Sequence, residues 1–194
     1  MNMVYLLLYV IAAMIVGFVM VKTYQEKDRM RRYVIVLLAL AMICIVSYSV
    51  NFMTDNYNVM SAATSIMMAA QDFLLVSLFI YTTEFARISN KVTKVMTIAA
   101  FVIAIIDSVV FIANIFNEIA VKYSLVKCDG IYVLGYEGEL WFGIHAVMSM
   151  IITACIIAVL VIKCIHIPGA YWGRYIVMAA GLFFSGAYYD LFLV

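Results

Sequence analysis

The sequence predicts an all-α membrane protein: a polytopic bundle of six transmembrane helices, with a small extracellular β-hairpin between the fourth and the fifth. Three observations carry that prediction. Hydrophobic residues fill 68% of the 194 positions and charged residues only 12%, too few charges to cover the surface of a water-soluble fold of this size. The apolar residues fall into six runs, each long enough at about 1.5 Å rise per residue to cross a hydrocarbon core of roughly 30 Å. The basic residues gather in alternate joints between those runs.

The first run reads as a helix from Met3 to Val21 and the second from Tyr33 to Met53. The third extends from Asn58 to about Ala86, the fourth from Val95 to Phe116, and the fifth from Trp141 to Ile162. The sixth begins at Tyr175 and reaches Val194, so residues 1–194 read as a single transmembrane domain. Met1-Asn2-Met3 offers no basic n-region, and the first run exceeds a usual h-region, so it reads as a retained anchor and not a cleaved signal peptide. Only the joint from Asn117 to Leu140 is long. In it, Tyr123 to Cys128 and Ile131 to Tyr136 flank Asp129-Gly130, and Asp-Gly between two β-favouring runs signals a tight hairpin. An irregular surface loop is the alternative. Pro168, the sole proline, lies in the turn Ile167-Pro168-Gly169, so nothing signals the interrupted helices that build midplane sites in many secondary transporters.

Charge sets the expected orientation. Lys22, Lys27, Arg29, Arg31 and Arg32 follow the first run, Arg87, Lys91 and Lys94 follow the third, and Lys163 and Arg174 follow the fifth. The other side has Lys122 and Lys127, beside Asp55, Glu118, Asp129, Glu137 and Glu139. Ten against two is a strong positive-inside signal. It puts the N-terminus outside a cell membrane crossed several times, and Val194 outside as well. Trp141 and Trp172 fall at expected interfaces, which suit indoles.

The same composition excludes several classes of function. The four cysteines, Cys44, Cys128, Cys155 and Cys164, lie in separate segments, and no Cys or His pair has metal-ligand spacing. No metal site and no cofactor is therefore expected. The dispersed basic residues serve topology and give no footprint for nucleic acid, while Arg29 to Arg32 can also attract anionic membrane lipid. No nucleophile elbow, phosphate-cradling loop or zinc motif is present, so this segment is expected not to be an enzyme. Fourteen methionines and fourteen tyrosines fall in no cofactor motif; Met67-Met68 reads as flexible packing.

Chemistry is left to ionisable and polar groups inside the apolar runs: Asp72, Asp107, His145 and Asp190. Desolvation is costly, so such groups normally face the bundle and have partners. Ser61, Ser65 and Ala69 form a small-residue stripe that Asp72 continues, and Ala100, Ala104 and Ser108 form another beside Asp107, with Asn114 two turns on. Such stripes let helices approach closely. His145, Ser149 and Thr153 recur at fourth positions, Gly186 lies one turn before Asp190, and Ser47, Tyr48 and Asn51 lie near the outer end of the second helix. Counting from each interface puts Asp107, Asn114, His145, Asp190, Tyr48 and Asn51 in the outer half. There they are read as lining a cavity for a small polar or cationic ligand from outside. Asp72, with Gln71 and Ser149, makes a deeper polar core. The alternative is that these groups bind nothing and join helices by hydrogen bonds.

The order of elements resembles the N-terminal seven-helix sensor region of bacterial histidine kinases and of diguanylate cyclases with a GGDEF domain. Ser61-Ala62-Ala63 early in the third helix, Thr83-Glu84-Phe85-Ala86 at its end, and Gly138-Glu139-Leu140-Trp141 leading into the fifth carry the resemblance. Members often have glycine and proline in the middle of the third helix, where this chain has Gln71-Asp72-Phe73-Leu74. The resemblance implies a signal-transduction role, in which a stimulus changes helix packing and the last helix conveys it to a dimeric cytoplasmic kinase or cyclase. It also implies a fragment, six helices of seven, with homodimerisation through the absent output domain. The rival is a six-helix substrate-binding membrane subunit of a transporter, which would place both termini inside. A third reading is a plain helical scaffold.

Overall fold

The computed structural model describes residues 3–88, 91–128, 131–166, 172–173, 176 and 180. These form α1 (Met3–Gln25), α2 (Arg31–Val50), α3 (Tyr57–Phe85), α4 (Lys91–Asn117), β1 (Val121–Cys128), β2 (Ile131–Gly138) and α5 (Leu140–Ile165). All five helices are long and apolar enough to cross a membrane. Of the expected sixth helix, Tyr175 to Val194, only residues 176 and 180 are described, and the Pro168 turn and Asp129-Gly130 lie outside the described residues.

Helix α3 is the hub. It packs against α2, α4 and α5, while α1 packs on α2. The sequence explains the centrality: Ser61, Ser65 and Ala69 are buried along one line, with Ala63, Thr64 and Ala70 beside them, so neighbouring backbones can approach. On α4 the buried face is Ala100, Ala104, Asp107, Ser108, Phe111 and Asn114, the repeat of one helical stripe. Ser108 Oγ donates to the Ala69 carbonyl oxygen at 3.3 Å, the contact that two small residues permit. Outward-facing Leu7, Leu8, Ile15, Ile98, Ile105 and Val109 are all exposed, which suits lipid contact in a bundle that fills its interior with small residues.

Local chemistry fixes the helix ends. Asn56 Oδ1 accepts from the amides of Asn58 at 3.0 Å and Val59 at 3.4 Å, capping α3. At its other end Arg87 takes a left-handed φ of 52°, the Arg87 amide donates to Glu84 O, and the Ile88 amide donates back to Thr83 O. That is a Schellman stop built without glycine. Arg31 donates to the carbonyl oxygens of Tyr24 at 3.3 Å and Glu26 at 3.2 Å, closing the turn between α1 and α2. Arg29 reaches Glu84 at 3.4 Å, so the α1–α2 turn and the end of α3 lie at the same end of the bundle. Tyr5, Tyr9, Tyr48 and Phe52 stack at the opposite end and hold α1 to α2.

The hairpin forms as expected, slightly longer than the sequence reading. Its antiparallel register pairs Val121 with Gly138 and Cys128 with Ile131, which leaves a two-residue connection. It does more than cap the bundle. Alternate residues Val121 and Tyr123 of β1, with Leu134 of β2, are buried against Met60, Met68, Phe111 and Phe142, and the Tyr123 hydroxyl meets Ser65 Oγ at 3.2 Å. Ser65 lies about two turns inside α3, so the strand plugs the bundle mouth. Gly138 permits the next step: a Cβ there would stand 2.5 Å from Phe142 Cδ1, and its absence lets Phe142 tuck beneath the hairpin. Outside, Lys122 pairs with Glu139, a hydrogen bond that raises the lysine's pKa.

Asn114 ties the hairpin to α4. Its Oδ1 accepts from the amides of Ala120 at 2.7 Å and Val121 at 3.0 Å, and its Nδ2 donates to Val121 O at 2.9 Å. Replacing Asn114 by Ala strands two buried amides, and the expected loss is roughly 2–4 kcal/mol of stability, read by reversible denaturation in detergent. Gly138→Ala should cost about 1–3 kcal/mol by forcing Phe142 from its seat, with an intact α-helical circular-dichroism spectrum.

Candidate functional site

Beneath the plug, three helices contribute one ionisable side chain each. Asp72 of α3, Asp107 of α4 and His145 of α5 are 6%, 6% and 1% exposed. His145 Nδ1 lies 2.6 Å from Asp107 Oδ2 and 3.3 Å from Asp72 Oδ1. A fourth group sets the orientation: the indole N–H of Trp141 donates to Asp107 Oδ1 at 2.7 Å. Asp107 therefore has both oxygens engaged, one on α5's first turn and one on the imidazole a turn further along. Phe111 meets the imidazole edge-on at 4.9 Å and Phe142 lies roughly parallel to it at 6.1 Å, so two aromatic rings flank it.

The imidazole nitrogen facing the two carboxylates carries at most one hydrogen. The contact with Asp107 is the shorter and that with Asp72 the longer. Two atoms of the cluster, Asp72 Oδ2 and His145 Nε2, have no hydrogen-bond partner among the described residues. Buried polar atoms without partners are costly. The cluster is a tie between three helices with bonding capacity to spare.

Among the described residues, the expected lining of the outer cavity divides between separate contacts. Asp107 and His145 meet, and they also meet Asp72, the residue expected in a deeper polar core. Gly138 pairs with Val121 and the Glu139 amide donates to Ala120 O, so α5 starts beside the chain leaving α4, and its first two turns bring Trp141 and His145 to Asp107. Trp141, expected at an interface, thus also serves Asp107. Asn114 is spent on the hairpin. Asn51 Nδ2 donates to Thr64 Oγ1 at 3.1 Å, and Tyr48 belongs to the aromatic stack with Tyr9 and Phe52. Gln71 and Ser149 are half-buried and do not hydrogen-bond to the three-residue cluster. Asp190 lies outside the described residues. Towards the basic end, α4 and α5 leave an apolar cleft lined by Phe79, Met96, Ala100, Ile103, Met148 and Ile152.

The bundle, its hairpin and the element order have a counterpart. The model of a family described as the N-terminal 7TM region of histidine kinase matches residues 5–193, nearly the whole chain. The chain belongs to this family. No curated protein matches it. Membership in the histidine kinase 7TM family makes it a multi-pass membrane domain of the sensor kind and favours that reading over the transporter subunit. Within this 7TM domain, Asp107 and His145 should be energetically coupled. Asp107→Asn and His145→Gln, made singly and together, are expected to show an interaction of about 1 kcal/mol or more in reversible unfolding. Additive losses would mean that the contact contributes nothing of its own.

Proposed function

We propose that this chain is the sensory part of a membrane-bound histidine kinase, set in the cell membrane with its N-terminus and hairpin outside. On this reading a stimulus arriving at the hairpin side changes how α3, α4 and α5 pack, and a following helix conveys the change to a cytoplasmic, dimeric kinase. The observation that carries it is the Asp72–Asp107–His145 cluster, which joins those three helices directly below the plug. A relay needs two packings that the stimulus binds unequally. A buried polar tie supplies them, because its bonds are made in one arrangement and exchanged in another. The distribution of ten basic residues on one side against two on the other supports the orientation. The family match supports a kinase output; a cyclase output rests on resemblance alone.

Two measurements test the proposal. Single cysteines placed at Asn2 and at Glu26 in a cysteine-free background should differ in intact cells. The first should react with a membrane-impermeant maleimide and the second only after lysis; the reverse pattern would reject the orientation. Joined through a seventh helix to a histidine kinase core in vesicles, the wild-type domain should set one autophosphorylation rate. Asp107→Asn should shift that rate several-fold with membrane insertion unchanged, whereas equal rates would reject the relay.

A further inference from the structure

We infer that Asp72, Asp107 and His145 form a binding site for one divalent transition-metal cation. One donor atom from each residue lies within 4.8 Å of the other two, and all three residues are buried. The separation of His145 Nδ1 from Asp72 Oδ1, 3.3 Å, equals the ligand-to-ligand spacing of about 3.3 Å that a tetrahedral ion needs with bonds of about 2.0–2.1 Å. The 2.6 Å contact between His145 Nδ1 and Asp107 Oδ2 has only to open by several tenths of an ångström.

Charge and satisfaction point the same way. Two ionised carboxylates balance a doubly charged ion, so the loaded cluster is neutral in an apolar, aromatic setting where unbalanced charge is costly. Asp72 Oδ2, buried and without a partner among the described residues, lies on the carboxyl group that faces the imidazole and offers a further donor. Trp141 on Asp107 Oδ1 provides the outer hydrogen bond that fixes a ligating carboxylate's orientation. One imidazole with two carboxylates suits zinc or cobalt(II) better than calcium or magnesium, which require six or more oxygen ligands or several retained waters. The binding site stands independently of signalling; that the ion acts as the stimulus rests on the sensory reading above.

The test titrates cobalt(II) chloride into the full chain purified in lipid nanodiscs. One equivalent per chain should produce visible d–d absorption, without thiolate charge-transfer bands, and zinc should displace it. Asp72→Asn and His145→Gln should weaken binding at least tenfold, and His166→Gln, at the exposed second histidine, should leave it unchanged. X-ray absorption of the zinc-loaded wild type, which needs no variant to fold, should show one imidazole and carboxylate oxygens with no sulfur. Absence of stoichiometric cobalt, retention of full affinity in both site variants, or sulfur in the coordination shell would overturn the site. Cobalt failing to bind while Asp107→Asn still shifts kinase output would reject the metal and leave the relay standing.

Discussion

A carboxylate held away from water must be given donors by its neighbours, and much of this bundle follows from how Asp107 obtains them. Its two partners, the indole N–H of Trp141 and the His145 imidazole, sit one turn apart on α5. To deliver both, the first two turns of α5 have to pack beside α4, and β2 brings the chain back to that place: Gly138 pairs with Val121, and the Glu139 amide donates to Ala120 O. The same return seats Val121 and Tyr123 in the bundle mouth. A free loop across the same gap would leave buried backbone amides without partners, and pairing them in a two-stranded ladder solves this.

The small residues of α3 are the second requirement. Asp72 reaches the imidazole because Ser61, Ser65 and Ala69 let the packed helices come close, and Ser65 is also the residue that the Tyr123 hydroxyl meets. Electrostatics and packing therefore share residues along one line of α3. On either side of that line the helices have different duties. Towards the hairpin the contacts are polar and aromatic; towards the basic end α4 and α5 are separated by an apolar cleft.

Most of the fold was legible because a bilayer imposes length and charge rules on each segment by itself. All five described helices lie where their apolar runs lie. The bounds extend past the charges at which the apolar runs end: α4 starts at Lys91 and not Val95, and α2 at Arg31 and not Tyr33, since basic side chains leave the bilayer without ending a helix. Asp-Gly and its flanking runs revealed the hairpin. The cluster was legible only in part. Asp72, Asp107 and His145 stood out as ionisable groups in apolar runs, but spacing within one helix says nothing about which residues of three helices share a level. Asn114 shows the same limit: its place on the Asp107 face was clear, whereas its service to the backbone of residues 120 and 121 required knowing where the hairpin turns back.

The junction between β2 and α5 has almost no slack. Gly138 ends the strand, the Glu139 amide bonds to Ala120 O, and Leu140 begins the helix. With Phe142 wedged against the missing side chain of Gly138, strand and helix form one stiff lever whose short arm ends at the imidazole. On the relay proposed above, a tilt of β2 passes through this junction to the ring between the two carboxylates.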